Sequence, residues 1–314
     1  MWHTIGLKNT PKFGSRRWMG LLLLILLAAG ACRTASAATL EARYPGLAAG
    51  LLRSAVLAPL ADDTLLEAGG VVITRPQLLA GIQAHEPKLQ AQLEKNLLFV
   101  LEQEATRQIL LKEAQQAGIP AAEGDENGVI QALFESQTKA LSVSENEARA
   151  FYAANKDMVG GAPFEQVADG IRQYLLQDKQ QQAVAAYIEG LGASVDLRIN
   201  EKWVEAQNRL GTDNPVDQAR GSGKPTMAEF GATGCVPCDM MQPILDTLRK
   251  DYPQKLNVVF VHVGEEQVLA ARYGIRSIPV QVFFDAEGRE VFRHVGFFAQ
   301  DDVTRQLSKM GVAK

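Results

Sequence analysis

The run Thr226-Met227-Ala228-Glu229-Phe230-Gly231-Ala232-Thr233-Gly234-Cys235-Val236-Pro237-Cys238 changes character halfway along. Thr226–Phe230 is an apolar stretch of strand length interrupted only by Glu229. Gly231 and Gly234 then mark a turn. From Pro237 to Lys250 the pattern is helical, and Pro237 falls where a first helical turn tolerates a missing N–H. Cys235 therefore stands at a strand-to-helix junction, with Cys238 one turn further on the same face. Outward from this junction, Asn257–Val263 reads as a strand and Gln267–Tyr273 as a helix. Val280–Phe284 and Glu290–Val295 read as strands joined by Asp285-Ala286-Glu287-Gly288, and Asp301–Met310 as a terminal helix. That order is mixed α/β.

The junction matters chemically because a helix N-terminus has free N–H groups and a favourable dipole for negative charge. A cysteine there is more easily ionised than a free thiol, and the thiolate is the reactive form. A second cysteine one turn away can resolve a mixed disulfide held by the first. The chain has three cysteines, and Cys32 lies far from this pair. Disulfide scaffolds need more cysteines at wider spacing. A four-ligand zinc site needs a second pair or added histidines, and of the chain's four histidines only His262 and His294 could complete one. Redox work is the reading the pair supports, with no metal and no cofactor beyond the Cys235–Cys238 disulfide.

Within a C-terminal domain over 224–314, residues 224–312 resemble a complete thioredoxin domain, an α/β fold with a mixed central sheet flanked by helices. The likeness rests on Phe230 to Cys238, on Pro243 at the family's helix-kink position, on Tyr273-Gly274-Ile275-Arg276-Ser277-Ile278-Pro279, and on Gly288 and Gly296. The resemblance implies that Cys235 is the nucleophile and Cys238 the resolving thiol. It implies a cis Pro279, with the backbone of Ile278 docking substrate as an extra strand and Val236 and Pro237 lining that site. Glu229 stands where the family has a buried acid, which implies a proton acceptor for Cys238; a half-exposed strand glutamate is the bland alternative. Three positions depart from the family. Gly231 and Gly234 replace frequent tryptophans, and Phe260 stands where a lysine often partners the acid. Pro237 and Ile278 match reducing members, so the expected potential lies near about −270 mV, away from the roughly −120 mV of strong oxidants. His262 and His294 read as packing residues on strands.

The remaining residues have room for one further domain. Residues 39–61 read as a mobile lead-in with Pro45 and Pro59. Thr64–Thr74 reads as a hairpin around Gly69-Gly70, followed by a helix capped by Thr74 with Pro76 in its first turn. Leu89, Leu93, Leu97, Leu101 and Ala105 predict one long helix over 87–117, stopped by Gly118 and Pro120. Asp125–Leu141 predicts another. Ser144 and Glu147 form a capping box opening a helix that Gly160 and Gly161 break. Phe164 to Leu191 fits one or two helices closed by Gly190 and Gly192. Residues 200–223, with Asn214, Pro215, Gly221 and Gly223, read as a linker. The mainly α-helical domain over 62–199 resembles that of the SurA/PrsA-type exported foldases at Asp63–Leu78, Val143–Tyr152 and Phe164–Leu175. Those foldases carry a parvulin module between the last two helices. Only Ala153–Pro163 occupies that place here, so no prolyl isomerase activity is expected.

At the N-terminus, Lys8, Lys12, Arg16 and Arg17 precede the apolar run Leu21–Ala29, and Ala35-Ser36-Ala37 is an A-x-A cleavage pattern. Residues 1–38 thus read as a signal peptide. The run from Trp18 to Cys32 falls short of the about 20 residues a membrane span needs. A second reading takes Ala29-Gly30-Ala31-Cys32 as a lipobox, leaving Cys32 lipidated. Either reading places the protein in the periplasm or otherwise outside the cytoplasm, with membrane contact only through the signal or a lipid anchor. The chain carries a net −4 although residues 1–38 are basic, so its body is acidic and unsuited to nucleic acid.

Two classes of function fit. One is a reductase of disulfides in exported proteins, fed by a membrane electron donor of the kind that reduces periplasmic thioredoxins, with the helical domain recruiting clients. The other is a chaperone-like binding protein with a secondary redox role. Net disulfide oxidation or isomerisation is a third course.

Overall fold

The computed structural model describes residues 38–120, 124–156 and 161–313. Apart from Ala38, the expected signal segment and its Cys32 lie outside the described residues.

The N-terminal region is largely helical around a small sheet. It runs through α1 (Leu40–Arg43), a 3-10 turn (Leu51–Ser54), β1 (Val56–Ala58), β2 (Thr64–Ala68) and β3 (Val71–Thr74). Then come α2 (Arg75–Ile82), α3 (Pro87–Lys95), α4 (Leu97–Gln116), α5 (Glu126–Thr138), α6 (Glu145–Ala154), α7 (Phe164–Ser194) and β4 (Leu197–Asn200). The sheet order is β1-β4-β2-β3. β4 pairs parallel with β1 and antiparallel with β2, so the chain returns to its own beginning after α7. β2 and β3 form the expected hairpin, and Gly69 and Gly70 supply the positive φ of its tight turn. The Ser144–Glu147 capping box opens α6, with Glu147 Oε2 accepting the Ser144 N–H at 2.9 Å. Among the described residues no helix is long and apolar enough to cross a membrane.

Four expectations are corrected here. The lead-in over 39–61 is packed, not mobile. Leu40, Leu51 and Leu52 are buried in the core, each contributing about 1.5–3 kcal/mol. The buried carboxylate of Glu102 on α4 accepts the N–H groups of Ala49, Gly50 and Leu52. The helix expected over 87–117 is two helices broken at Asn96, whose side chain donates to the Gln92 carbonyl and accepts from Arg272. Gly190 and Gly192 do not end a helix, because α7 runs through both. Gly192 is a point of close approach: a Cβ there would lie 2.3 Å from the Leu51 carbonyl oxygen. Finally, the linker over 200–223 is mostly helical, with α8 (Glu201–Gly211) and α9 (Pro215–Arg220). Asn214 and Pro215, which read as linker punctuation, are an N-cap and first-turn residue: Asn214 Oδ1 accepts from Val216 and Asp217 N–H.

The C-terminal domain follows the expected mixed order: β5 (Thr226–Gly231), α10 (Val236–Asp251), β6 (Asn257–His262), α11 (Gln267–Arg272), β7 (Val280–Phe284), β8 (Glu290–Val295) and α12 (Gln300–Lys309). The sheet order is β6-β5-β7-β8, with β5 parallel to β6 and antiparallel to β7. Central β5 is buried along its whole length, as an apolar strand covered on both faces must be. One face packs Met227, Phe283 and Phe292 against α10 and α12; the other packs Ala228, Phe230, Val282 and Phe284 against α11 and Val216. The helical region grips this domain at α11. Gln92 accepts the Val268 N–H and donates to the Glu265 carbonyl. Arg272 bonds Asn96, Gly211 and Asp217, and Asp217 also binds Arg220 and Tyr273.

Candidate functional site

The alternation along β5 sets this site. Met227, Glu229 and Gly231 share the face that α10 covers, since residues two apart point the same way. Gly231 lies at the end of that row, where a Cβ would meet Cys238 Cβ at 3.4 Å and Phe260 at 3.1 Å. The helix thus begins directly over the end of the strand. Gly234 turns the chain with φ +79°, a conformation glycine adopts without steric cost. Cys235 is the N-cap of α10, and Pro237 occupies the first turn. Pro243 lies inside the helix.

The two cysteines form a disulfide, with Cα atoms 5.2 Å apart. Their environments differ. Cys238 is buried at 2% exposure, while Cys235 is half-buried and the next residue, Val236, is 70% exposed. Only the first sulfur of the pair is within easy reach of another molecule. In the reduced state Cys235 would hold its charge at the open end of a 16-residue helix.

Ile278–Pro279 is a cis peptide. The register Phe230↔Val280 sets Pro279 opposite Gly231, at the end of β5 that carries the disulfide. Pro279 is buried and Ile278 half-buried. All the residues singled out on the sequence, Cys235, Cys238, Val236, Pro237, Ile278, Pro279 and Glu229, therefore converge on one end of the sheet; Cys32 lies outside the described residues.

Glu229 is fully buried, which excludes the half-exposed alternative. Its cross-strand neighbours are Phe260 on β6 and Gln281 on β7. No hydrogen bond of good geometry reaches either carboxyl oxygen. Burial pushes its carboxyl up to about 8, an effect the neighbouring Gln281 amide opposes only in part. At neutral pH the group is mostly a neutral acid that can exchange a proton.

Two contacts escaped the sequence reading. His262 does more than pack: it lies opposite Gly231, and its Nε2 accepts the Thr233 N–H at 3.2 Å, fastening the loop before Cys235. Gln281 went unnoticed, although a lone amide within the apolar strand Val280–Phe284 was a signal that could have found it. His294 does stack on Phe298, with ring centroids 4.2 Å apart. Among the described residues no group of three or more histidines, cysteines or acids is placed to hold a metal ion. What the site can do is exchange one accessible disulfide with another.

Comparison with known proteins finds likenesses to the C-terminal part of the chain. Residues 212–311 match the family model of the thioredoxin-like domain. A thioredoxin of Staphylococcus epidermidis is 35% identical over 98 residues, 31% of this chain and 92% of its own. That of Alicyclobacillus acidocaldarius is 32% identical over 97 residues, 31% of this chain and 91% of its own. Among solved structures, a mutant thioredoxin from Halobacterium salinarum is 30% identical, covering 32% of this chain and 84% of that one with a TM-score of 0.28.

Proposed function

Because this chain belongs to the thioredoxin family through its C-terminal domain, we propose that it is an exported protein-disulfide reductase acting on extracytoplasmic proteins. The observation that carries this reading is the asymmetry of the pair: an approachable Cys235 at a helix N-terminus and a buried Cys238 packed over Gly231, two residues along β5 from a buried, proton-holding acid.

In the proposed reaction the Cys235 thiolate attacks one sulfur of a client disulfide. An S–S bond forms between enzyme and client, and the other client sulfur leaves as a thiolate that takes up a proton. Cys238 gives its proton to ionised Glu229 and attacks the Cys235 sulfur. The mixed disulfide breaks, the second client thiolate leaves and takes up a proton in turn, Glu229 releases the proton it accepted, and the internal disulfide closes. Two electrons and two protons pass to the client. The backbone of Ile278 and cis Pro279, with Val236 and Pro237, holds the client chain during the exchange. A membrane electron donor of the periplasmic thioredoxin-reducing type restores the dithiol. Pro237 and Ile278 support the reducing direction.

The helical region, with its SurA/PrsA-like sequence features, recruits clients without isomerising prolines. Residues 1–38 direct export, and Cys32 is the lipidation point if the protein is anchored. Reduction of insulin disulfides tests the enzyme. The wild type is expected to turn over with a dithiol donor, Cys235→Ser to be inactive, and Cys238→Ser to accumulate mixed disulfides with clients. A wild type without thiol activity that still suppresses aggregation would leave only a chaperone.

A further inference from the structure

Strand register places four side chains in one row on the sheet face beneath α10 and α12. Phe260 on β6 pairs with Glu229 on β5, Glu229 with Gln281 on β7, and Gln281 with His294 on β8. The preceding row, Val258, Met227, Phe283 and Phe292, is apolar throughout. Glu229 and Gln281 are both fully buried, and no hydrogen bond of good geometry reaches any side-chain oxygen or nitrogen of either, although the amide lies close enough to act on the carboxyl. Two orphaned polar groups side by side in an otherwise apolar layer call for a reason, since each carries a desolvation penalty.

The other polar neighbour of Gln281 within its row is His294. His294, on its far side, points Nε2 at the Phe297 carbonyl at 3.1 Å and stacks on Phe298. Directly opposed residues of antiparallel strands have Cβ atoms about 4.5–5.5 Å apart, and the terminal torsions of both side chains rotate broadly. The acid and the amide can therefore close a hydrogen bond without backbone movement. An amide also suits both protonation states of its neighbour: its NH2 donates to a carboxylate, and its carbonyl accepts from a carboxylic acid. An ammonium group offers only donors.

The rest of the surroundings carry no competing charge. The buried residues of α10 on this side are Cys238, Met241, Ile244, Leu245 and Leu248, and those of α12 are Val303 and Leu307. Asp301 is exposed, and Asp302 is paired with Arg305. The titratable groups on the sheet face itself are His262, one row nearer the disulfide, and His294.

We propose that Gln281 is the positioning residue for Glu229, pairing with its carboxyl in both protonation states and holding one oxygen toward Cys238. The amide on β7 takes the place of a partner on β6, where Phe260 stands. This rests on the reading of Glu229 as the proton acceptor for Cys238. Glu229 and Gly231 are two residues apart on β5, about 6.6 Å, and Gly231 abuts Cys238.

The test is the pH profile of mixed-disulfide resolution, followed in single turnovers of the reduced full chain with oxidised glutathione. Gln281→Met keeps the length of the side chain and removes its hydrogen bonds; Gln281→Leu serves as a second variant, and melting of both checks the fold. Losing a donor to the carboxylate is expected to move the acid limb of the profile upward by about one pH unit, a slowing of about tenfold at pH 7. Alkylation of Cys235 by iodoacetamide should stay within about twofold of wild type. In a Glu229→Gln background Gln281→Met should cause no further shift. An unmoved profile, or an equal slowing in both backgrounds, would overturn the role of Gln281 while leaving Glu229 in place. A Glu229→Gln variant that resolves as fast as wild type at every pH would remove both.

Discussion

Replacing Glu229 by Gln perturbs a single buried group of almost unchanged shape, so its effect on stability can be worked from the structure. The carboxyl is pushed up by burial from an ordinary 4.5 to about 8. The folded chain therefore binds this proton more tightly than the unfolded chain. Its stabilising contribution is complete below pH 4.5 and is lost as pH rises toward 8. At about 1.4 kcal/mol per pH unit, the loss is about 3 kcal/mol at pH 7 and about 5 kcal/mol above pH 8. Glutamine does not titrate and loses nothing. The stability difference between Glu229→Gln and wild type should be flat below pH 4.5, climb in favour of the variant through neutrality, and level off near pH 8. Urea unfolding of the oxidised proteins, followed by far-ultraviolet circular dichroism from pH 4.5 to 9, measures it. A difference that stays constant across that range would refute the reasoning, because an ordinary carboxyl has no such slope. The same variant should slow mixed-disulfide resolution, so the acid would be retained for activity at a cost in stability.

Other substitutions test the fold that carries the site. Gly192→Ala sets a methyl group 2.3 Å from the Leu51 carbonyl oxygen and should cost roughly 1–3 kcal/mol; an unchanged melting temperature would show that α7 and the 3-10 turn can separate freely. Asp217→Asn takes the charge from a carboxylate bonded to Arg220, Arg272 and Tyr273, and with both guanidiniums part-buried the expected loss in urea unfolding is roughly 3–5 kcal/mol. Glu102→Ala removes the acceptor shared by the Ala49, Gly50 and Leu52 N–H groups, so limited proteolysis should begin to cut within residues 44–54 while the C-terminal domain stays intact. Equal protection of that segment in variant and wild type would mean that its buried leucines hold it alone.

Much of the redox domain was legible before any coordinates. Apolar runs of strand length, a helical pattern opened by Pro237 and the spacing of Cys235 and Cys238 are local features, and local features survive in a linear reading. Caps were legible for the same reason at Ser144 and Glu147. The same signals misled at Asn214-Pro215, because an N-cap followed by proline and a loop use the same residues. The leucine spacing runs straight through the helix break at Asn96, where one of the bonds to the Asn96 side chain comes from Arg272, far along the chain. β1 and β4 went unrecognised because strands of three and four residues show too little alternation to count.

The amino-acid order alone determined the chemistry on offer: two thiols at a strand-to-helix junction, one acid on an otherwise apolar strand, and a proline loop beyond. Tertiary structure decided which of these groups are neighbours and how they behave. It buried Cys238 and left Cys235 within reach, stripped Glu229 of water, and set Gln281 beside it. Burial and cross-strand register come from segments dozens of residues apart, and proton affinity follows from the solvent those segments exclude, so neither can be read along the chain.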